Sequence, residues 1–125
     1  MNVERFWAAV LDQNAEEIRK FFHPDAWVNW HCSNEHFTVE EFIRANCEYP
    51  GDWDGKLERV VKTDELMVTA ARVYPRDRSG SFHVTSFIRL KDGRIAAMDE
   101  YWADDGPAPQ WRQDMKIGSS DWPID

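Results

Sequence analysis

A histidine and a glutamate that share one face of a β-ribbon can work as an acid–base pair, and the candidates here are His83 and Glu100. A carboxylate orients an imidazole and raises its basicity, which suits proton abstraction next to a carbonyl. Whether the two side chains meet depends on strand register. The runs Ser81–Leu90 and Ile95–Trp102 flank Asp92-Gly93, a dipeptide favoured in tight hairpin turns because both positions tolerate positive φ. Such a turn sets Leu90 opposite Ile95, Ile88 opposite Ala97, Ser86 opposite Asp99 and Val84 opposite Tyr101. On the other face Phe87 then meets Met98, Thr85 meets Glu100 and His83 meets Trp102. In this register His83 and Glu100 lie diagonally on one face, within reach of each other. Phe87, Met98 and Trp102 surround them and would desolvate both groups, shifting their pKa values. The competing reading is a structural polar bridge in an aromatic core. A β-bulge in the last strand would exchange the faces beyond it and turn Asp99 and Tyr101 inward.

Other chemistry-bearing residues are less well placed. His31, Cys32 and His36 do not have the spacing of a zinc site, and nothing near Cys32 in sequence marks an activating partner. Asp99, Glu100, Asp104 and Asp105 lack the loop spacing of a calcium site. No metal and no cofactor are expected. Arg72 falls on the His83 face or opposite it, depending on how the Arg76–Gly80 loop is closed, and an inward Arg72 would favour an anionic ligand. Trp7, Tyr49 and Trp53 are candidates for a cavity rim.

The elements that must position these residues follow from the pattern. Val3, Phe6, Trp7, Val10 and Leu11 recur at helical spacing. Asn14 with Glu17 opens a second short helix carrying Ile18, Phe21 and Phe22, which His23-Pro24 ends. Ala26–Cys32 reads as a strand. Thr38 with Glu41 is a capping box, with Phe37 and Phe42 placed as a hydrophobic staple, so a third helix runs to about Cys47. Leu57–Lys62, Leu66–Tyr74, Phe82–Leu90 and Ile95–Ala103 are strand-like runs joined by short links, which means an antiparallel meander. Helices first and strands later give an α+β class.

The chain has 125 residues, enough to bury one core, and 42 % are hydrophobic. Its formal charge of −8 argues against nucleic acid and anionic membrane as partners. No apolar run has spanning length and the start reads as a helix rather than a signal peptide, so the default location is the cytoplasm. Two cysteines make no disulfide framework. The chain divides into a body of residues 1–104 and a Pro- and Gly-containing tail of residues 105–125. Trp111 and Trp122 are expected to hold that tail on the body or on a partner chain.

The order helix, helix, strand, helix, four-strand meander resembles the nuclear transport factor 2-like superfamily, and within it the SnoaL-like polyketide cyclases and ketosteroid isomerase-like proteins. The likeness is carried by Phe6-Trp7-Ala8-Ala9-Val10, by Phe22-His23-Pro24-Asp25-Ala26, and by Asp92-Gly93-Arg94-Ile95 leading into Glu100-Tyr101-Trp102. The resemblance implies three helices packed on a strongly curved antiparallel sheet that forms a cone-shaped cavity, and a homodimer joined by the outer face of the sheet. It places acid–base residues where Glu100 and His83 stand. Trp30 occupies the place of the isomerase carboxylate, and Phe6 and Trp7 that of the isomerase tyrosine, so a steroid-type proton shuttle lacks its usual groups. The function expected is proton transfer on a small hydrophobic carbonyl compound without a cofactor: isomerisation, cyclisation or dehydration. His83 and Glu100 would be catalytic, with Trp7, Trp30, His31, Thr85, Phe87 and Trp102 around the substrate. The alternative is a non-catalytic ligand-binding or dimerisation module.

Overall fold

The computed structural model describes residues 1–120. Helix α1 (Val3–Leu11) is capped by the Asn2 side chain, which accepts from the Arg5 backbone N–H at 2.9 Å. It turns Val3, Phe6, Trp7 and Val10 inward. Helix α2 (Ala15–Arg19) is capped in the same way by Asn14 on the Glu17 N–H. Helix α3 (Val39–Cys47) has the full capping box expected from Thr38 and Glu41. Three phenylalanine contacts, Phe6–Phe21, Phe6–Phe22 and Phe22–Phe42, knit the helices to the first strand at centroid distances of 5.5, 5.9 and 5.7 Å. Each such buried ring is worth about 1.5–3 kcal/mol.

Six strands form one open sheet in the order β2-β1-β6-β5-β4-β3: β1 Phe22–Trp30, β2 Glu35–Thr38, β3 Trp53–Lys62, β4 Leu66–Pro75, β5 Phe82–Lys91 and β6 Arg94–Asp104. All neighbours are antiparallel except β1 and β6, which run parallel. The last four strands are the expected meander; β4, β5 and β6 are slightly longer than the apolar runs that marked them, and β3 begins at Trp53, four residues before the expected Leu57. The second helix is shorter than expected: it stops at Arg19, and Phe22-His23-Pro24 begin β1 instead. The sheet tolerates Pro24 because the β1–β6 ladder is irregular between Phe22 and Trp27, so no ladder N–H is required of it. The short edge strand β2 was not expected, nor was the 3-10 turn His31–Ser33, read in part as strand.

Two bulges bend the sheet. In β3 the extra residue is Glu58, between the pairs Leu57–Ala71 and Arg59–Ala70. In β6 it is Ala96. The hairpin turn is as expected, with Asp92 and Gly93 both at positive φ and Leu90 opposite Ile95, but Arg89 then pairs with Ala97. From there Ile88 meets Met98, Ser86 meets Glu100, Val84 meets Trp102 and His83 meets Ala103. Gly55 serves a close approach: a Cβ there would stand 2.7 Å from the Arg72 carbonyl and 3.1 Å from Leu11, the last residue of α1.

Past β6 the chain forms one short helix, α4 (Gln110–Asp114). Trp111 is 61 % exposed, with Met115 and Ile117 similarly open, so the described part of the tail leaves most of this apolar surface uncovered. Trp122 lies outside the described residues.

Candidate functional site

The Ala96 bulge decides which side chains face the helices. Met98, Glu100 and Trp102 turn inward with Val84, Ser86 and Ile88. His83, Thr85 and Phe87 point to the opposite, outer face. The expected pair of His83 and Glu100 therefore does not form: beyond the bulge the one-residue shift moves one partner of each expected cross-strand pair to the other face. Thr85 and Phe87 are exposed there, away from the cavity. His31 is also outside, stacked on Tyr101 with ring centroids 4.5 Å apart and bonded to Asp99 through Nε2 at 2.7 Å. The bulge thus brings Glu100 inward and leaves Asp99 and Tyr101 outside, the reverse of the alternative drawn from the sequence.

Glu100 is 2 % exposed. Its Oε1 accepts the indole N–H of Trp30 at 3.0 Å and that of Trp102 at 3.3 Å, and its Oε2 lies 2.6 Å from Ser86 Oγ. The register explains the cluster, because Trp30, Glu100, Ser86 and Thr69 form one row across β1, β6, β5 and β4. Burial pushes the Glu100 carboxyl above the usual range, and the hydrogen bonds from Ser86, Trp102 and Trp30 only oppose that rise. At the end of the row Trp7 Nε1 donates to Thr69 Oγ1 at 3.2 Å.

Above this row lies a cavity of about 350 Å³ between α1, the 3-10 turn and the sheet. Trp7, Trp30, Trp53, Trp102, Tyr49 and Phe82 wall it, with Val10, Leu11 and Val73. Polar residues join them: Gln13, Asn46, Ser33, Cys32, Glu35 and Asp104. Trp7, Trp30 and Trp102 are where a cavity lining was expected, and Tyr49 and Trp53 do rim it. Glu100 sits directly behind Trp30 and Trp102. Gln13, Asn46, Glu35 and Phe82 were not singled out from the sequence, and Asp104 was weighed only within an acidic cluster, since five different elements or loops supply them. Only the inward parity of Phe82, Trp102 and Asp104 along their strands would have flagged any of them.

A second polar cluster occupies the outer face. His83 Nδ1 bonds the Asp105 carboxylate and Nε2 faces Glu58 Oε1 at 3.1 Å. Asp105 Oδ2 accepts from Ser81 Oγ at 2.5 Å, and Ser81 Oγ accepts from Arg72 Nε at 3.0 Å. Arg72 therefore stands on the His83 face and not in the cavity. The bond to Asp105 raises the His83 pKa, the charges of Asp105 and Glu58 adding to it against partial burial. Among the described residues no cluster of His, Cys, Asp and Glu is set to hold a metal ion.

The model of the SnoaL-like domain matches residues 3–98. The chain belongs to the SnoaL-like family. Solved structures of the same fold include a Burkholderia xenovorans NTF-2 like protein of unknown function, 17 % identical with a TM-score of 0.75 over 90 % of this chain and 88 % of that one. A Kribbella flavida protein, provisionally named a ketosteroid isomerase, is 16 % identical with a TM-score of 0.77 over 94 % and 88 %. An M. tuberculosis LEH-like epoxide hydrolase is 15 % identical with a TM-score of 0.65 over 81 % and 79 %. At these identities the SnoaL-like chain shares their fold alone. No curated protein sequence matches it.

Proposed function

We propose that this SnoaL-like chain binds a small hydrophobic carbonyl compound in the tryptophan-walled cavity and acts on it by proton transfer, without a cofactor. Glu100 is the acid–base group. The observation that carries the reading is a carboxyl buried behind that cavity, its affinity for a proton raised by burial and its oxygens aimed by Trp30, Trp102 and Ser86. The names of two fold neighbours, a ketosteroid isomerase and an epoxide hydrolase, support a small-molecule reaction of this kind. His83 has no part in it, because it lies on the other side of the sheet.

Glutamine tests this well. In Glu100→Gln the amide oxygen still accepts both indole N–H groups and the amide N–H donates to Ser86, as a protonated carboxyl would. We expect folding stability within about 1 kcal/mol of wild type and ligand affinity retained. Turnover, assayed over a panel of small cyclic ketones and enones, should fall by about a hundredfold or more. Glu100→Ala instead strands two indole donors and should cost about 2–4 kcal/mol by chemical denaturation. Undiminished turnover in the glutamine variant removes Glu100 from the reaction.

A second reading has its own support. Both Glu100 oxygens are already engaged, so the group can serve as an anchor for two tryptophans in a non-catalytic binding module. That reading requires ligand binding with no turnover by wild type. In either case the outer sheet face, where Phe87 and Tyr101 stand 40 % and 45 % exposed, is the surface for a homodimer.

A further inference from the structure

The reading of the cavity as a ligand site leads one step further, because the cavity's hydrogen-bonding inventory selects a class of ligand. Its four tryptophans have already committed their donors. Trp7 gives its N–H to Thr69, Trp30 and Trp102 give theirs to Glu100, and Trp53 gives its own to the Pro50 carbonyl at 3.2 Å. They offer an occupant ring faces and edges. Gln13 spends both amide hydrogens on the carbonyls of Asn46 and Tyr49, at 2.9 and 2.8 Å, so its oxygen is what it has to offer. The charged residues among the lining are Glu35 and Asp104, both acidic, and no Lys or Arg is among them. Arg72, beside the lining residue Val73 on β4, is held on the outer face by Ser81.

Such a lining discriminates by charge. An anion meets carboxylates and no cation. A positively charged nitrogen meets the negative faces of indole rings, the strongest of the aromatic partners for a cation. The rim carboxylates compensate part of the water it gives up, and the formal charge of −8 on the whole chain attracts it from a distance. We propose that the cavity takes an organic cation, a hydrophobic amine or quaternary ammonium compound, with its charged nitrogen among the tryptophans and the carboxylates of Glu35 and Asp104. Its apolar body fills the remaining space against Val10, Leu11 and Val73. The Tyr49 hydroxyl, an uncharged donor at the rim, suits a carbonyl on the same molecule.

Choline and its uncharged isostere 3,3-dimethylbutan-1-ol differ in charge and not in shape, so the pair isolates this effect. Both would be titrated into the full chain while the tryptophan indole N–H signals are followed by NMR, with cyclohexanone as a neutral ketone alongside. We expect choline to bind about tenfold more tightly than the isostere. Added salt should weaken choline alone. The double variant Glu35→Gln/Asp104→Asn, at exposed positions and of unchanged volume, should lose most of that preference. Equal binding of choline and the isostere overturns the proposal, as does a preference that survives the double variant. Cyclohexanone binding without a choline preference overturns it while leaving the ligand-site reading intact. If all three compounds leave the indole signals unmoved, both readings fall.

Discussion

His83 was the residue most plainly marked for chemistry, and it has chemistry of a different kind. Both ring nitrogens face carboxylates, Asp105 on one side and Glu58 on the other, so the doubly protonated ring is the form its surroundings favour. Asp105 is the first residue beyond β6, and the His83 bond ties the start of the tail to β5. The Asp105 carboxyl is itself lowered on balance: burial pushes it up, but the bonds from Ser81 and His83 and the charges of His83 and Arg72 outweigh that. The linkage sign follows from the raised histidine. Its contribution to stability is full below the unfolded pKa of about 6.5 and is lost as pH rises through the folded value. His83 is 41 % exposed at its side chain, so solvent screening holds the effect below about 1 kcal/mol. Urea denaturation of wild type and His83→Gln at several pH values should show the wild-type advantage shrinking from slightly acid to alkaline pH. Parallel curves across that range would mean that folding leaves the His83 pKa unchanged and that the two carboxylates do not favour the charged ring.

At the scale of elements, the sequence carried the turn and the caps but not the bulge. Asp92-Gly93 and Thr38 with Glu41 are local devices, each written in a few adjacent residues and each present as read. The Ala96 bulge is not local. Ala96 and Ala97 are alike in size and chemistry, and what selects the insertion is the fit of Met98, Glu100 and Trp102 to the helices and to β1, a parallel neighbour some 70 residues away in sequence. For the same reason the cavity was legible as tryptophans and illegible as a site: its walls converge only once the sheet is bent. Removing the bulge should therefore be severe. Deleting Ala96 restores the simple hairpin register, turns Asp99 and Tyr101 inward and exposes Met98. Losing a buried Met and burying a carboxylate together cost on the order of 5 kcal/mol, comparable to the whole stability of a domain this size. The deletion variant should show no cooperative unfolding by circular dichroism, whereas Ala96→Gly, which keeps the extra residue, should fold.

The molecule as a whole presents two unlike faces of one sheet. The inner face is covered by α1, α2 and α3 and encloses the cavity; among the described residues no helix is packed on the outer face, which carries Phe87, Tyr101 and the stacked His31 toward solvent. Tyr101 also meets Phe87 edge to face at a centroid distance of 6.1 Å, so these side chains form one aromatic patch and not scattered apolar residues. We propose that a second copy covers this patch, since two identical faces would bring the same aromatic residues together about a two-fold axis. Light scattering should then give twice the 14.7 kDa of the chain. Replacing both Phe87 and Tyr101 with arginine should leave a folded monomer, because neither side chain supports the inner core. Ligand binding should survive in that monomer, as Phe87 and Tyr101 stand on the face of the sheet opposite the cavity. A wild-type mass of a single chain at tens of micromolar (a generous concentration for any stable interface) would end the dimer proposal. A dimer that persists in the double variant would move the interface elsewhere, and the exposed tail around Trp111 would be the next surface to test.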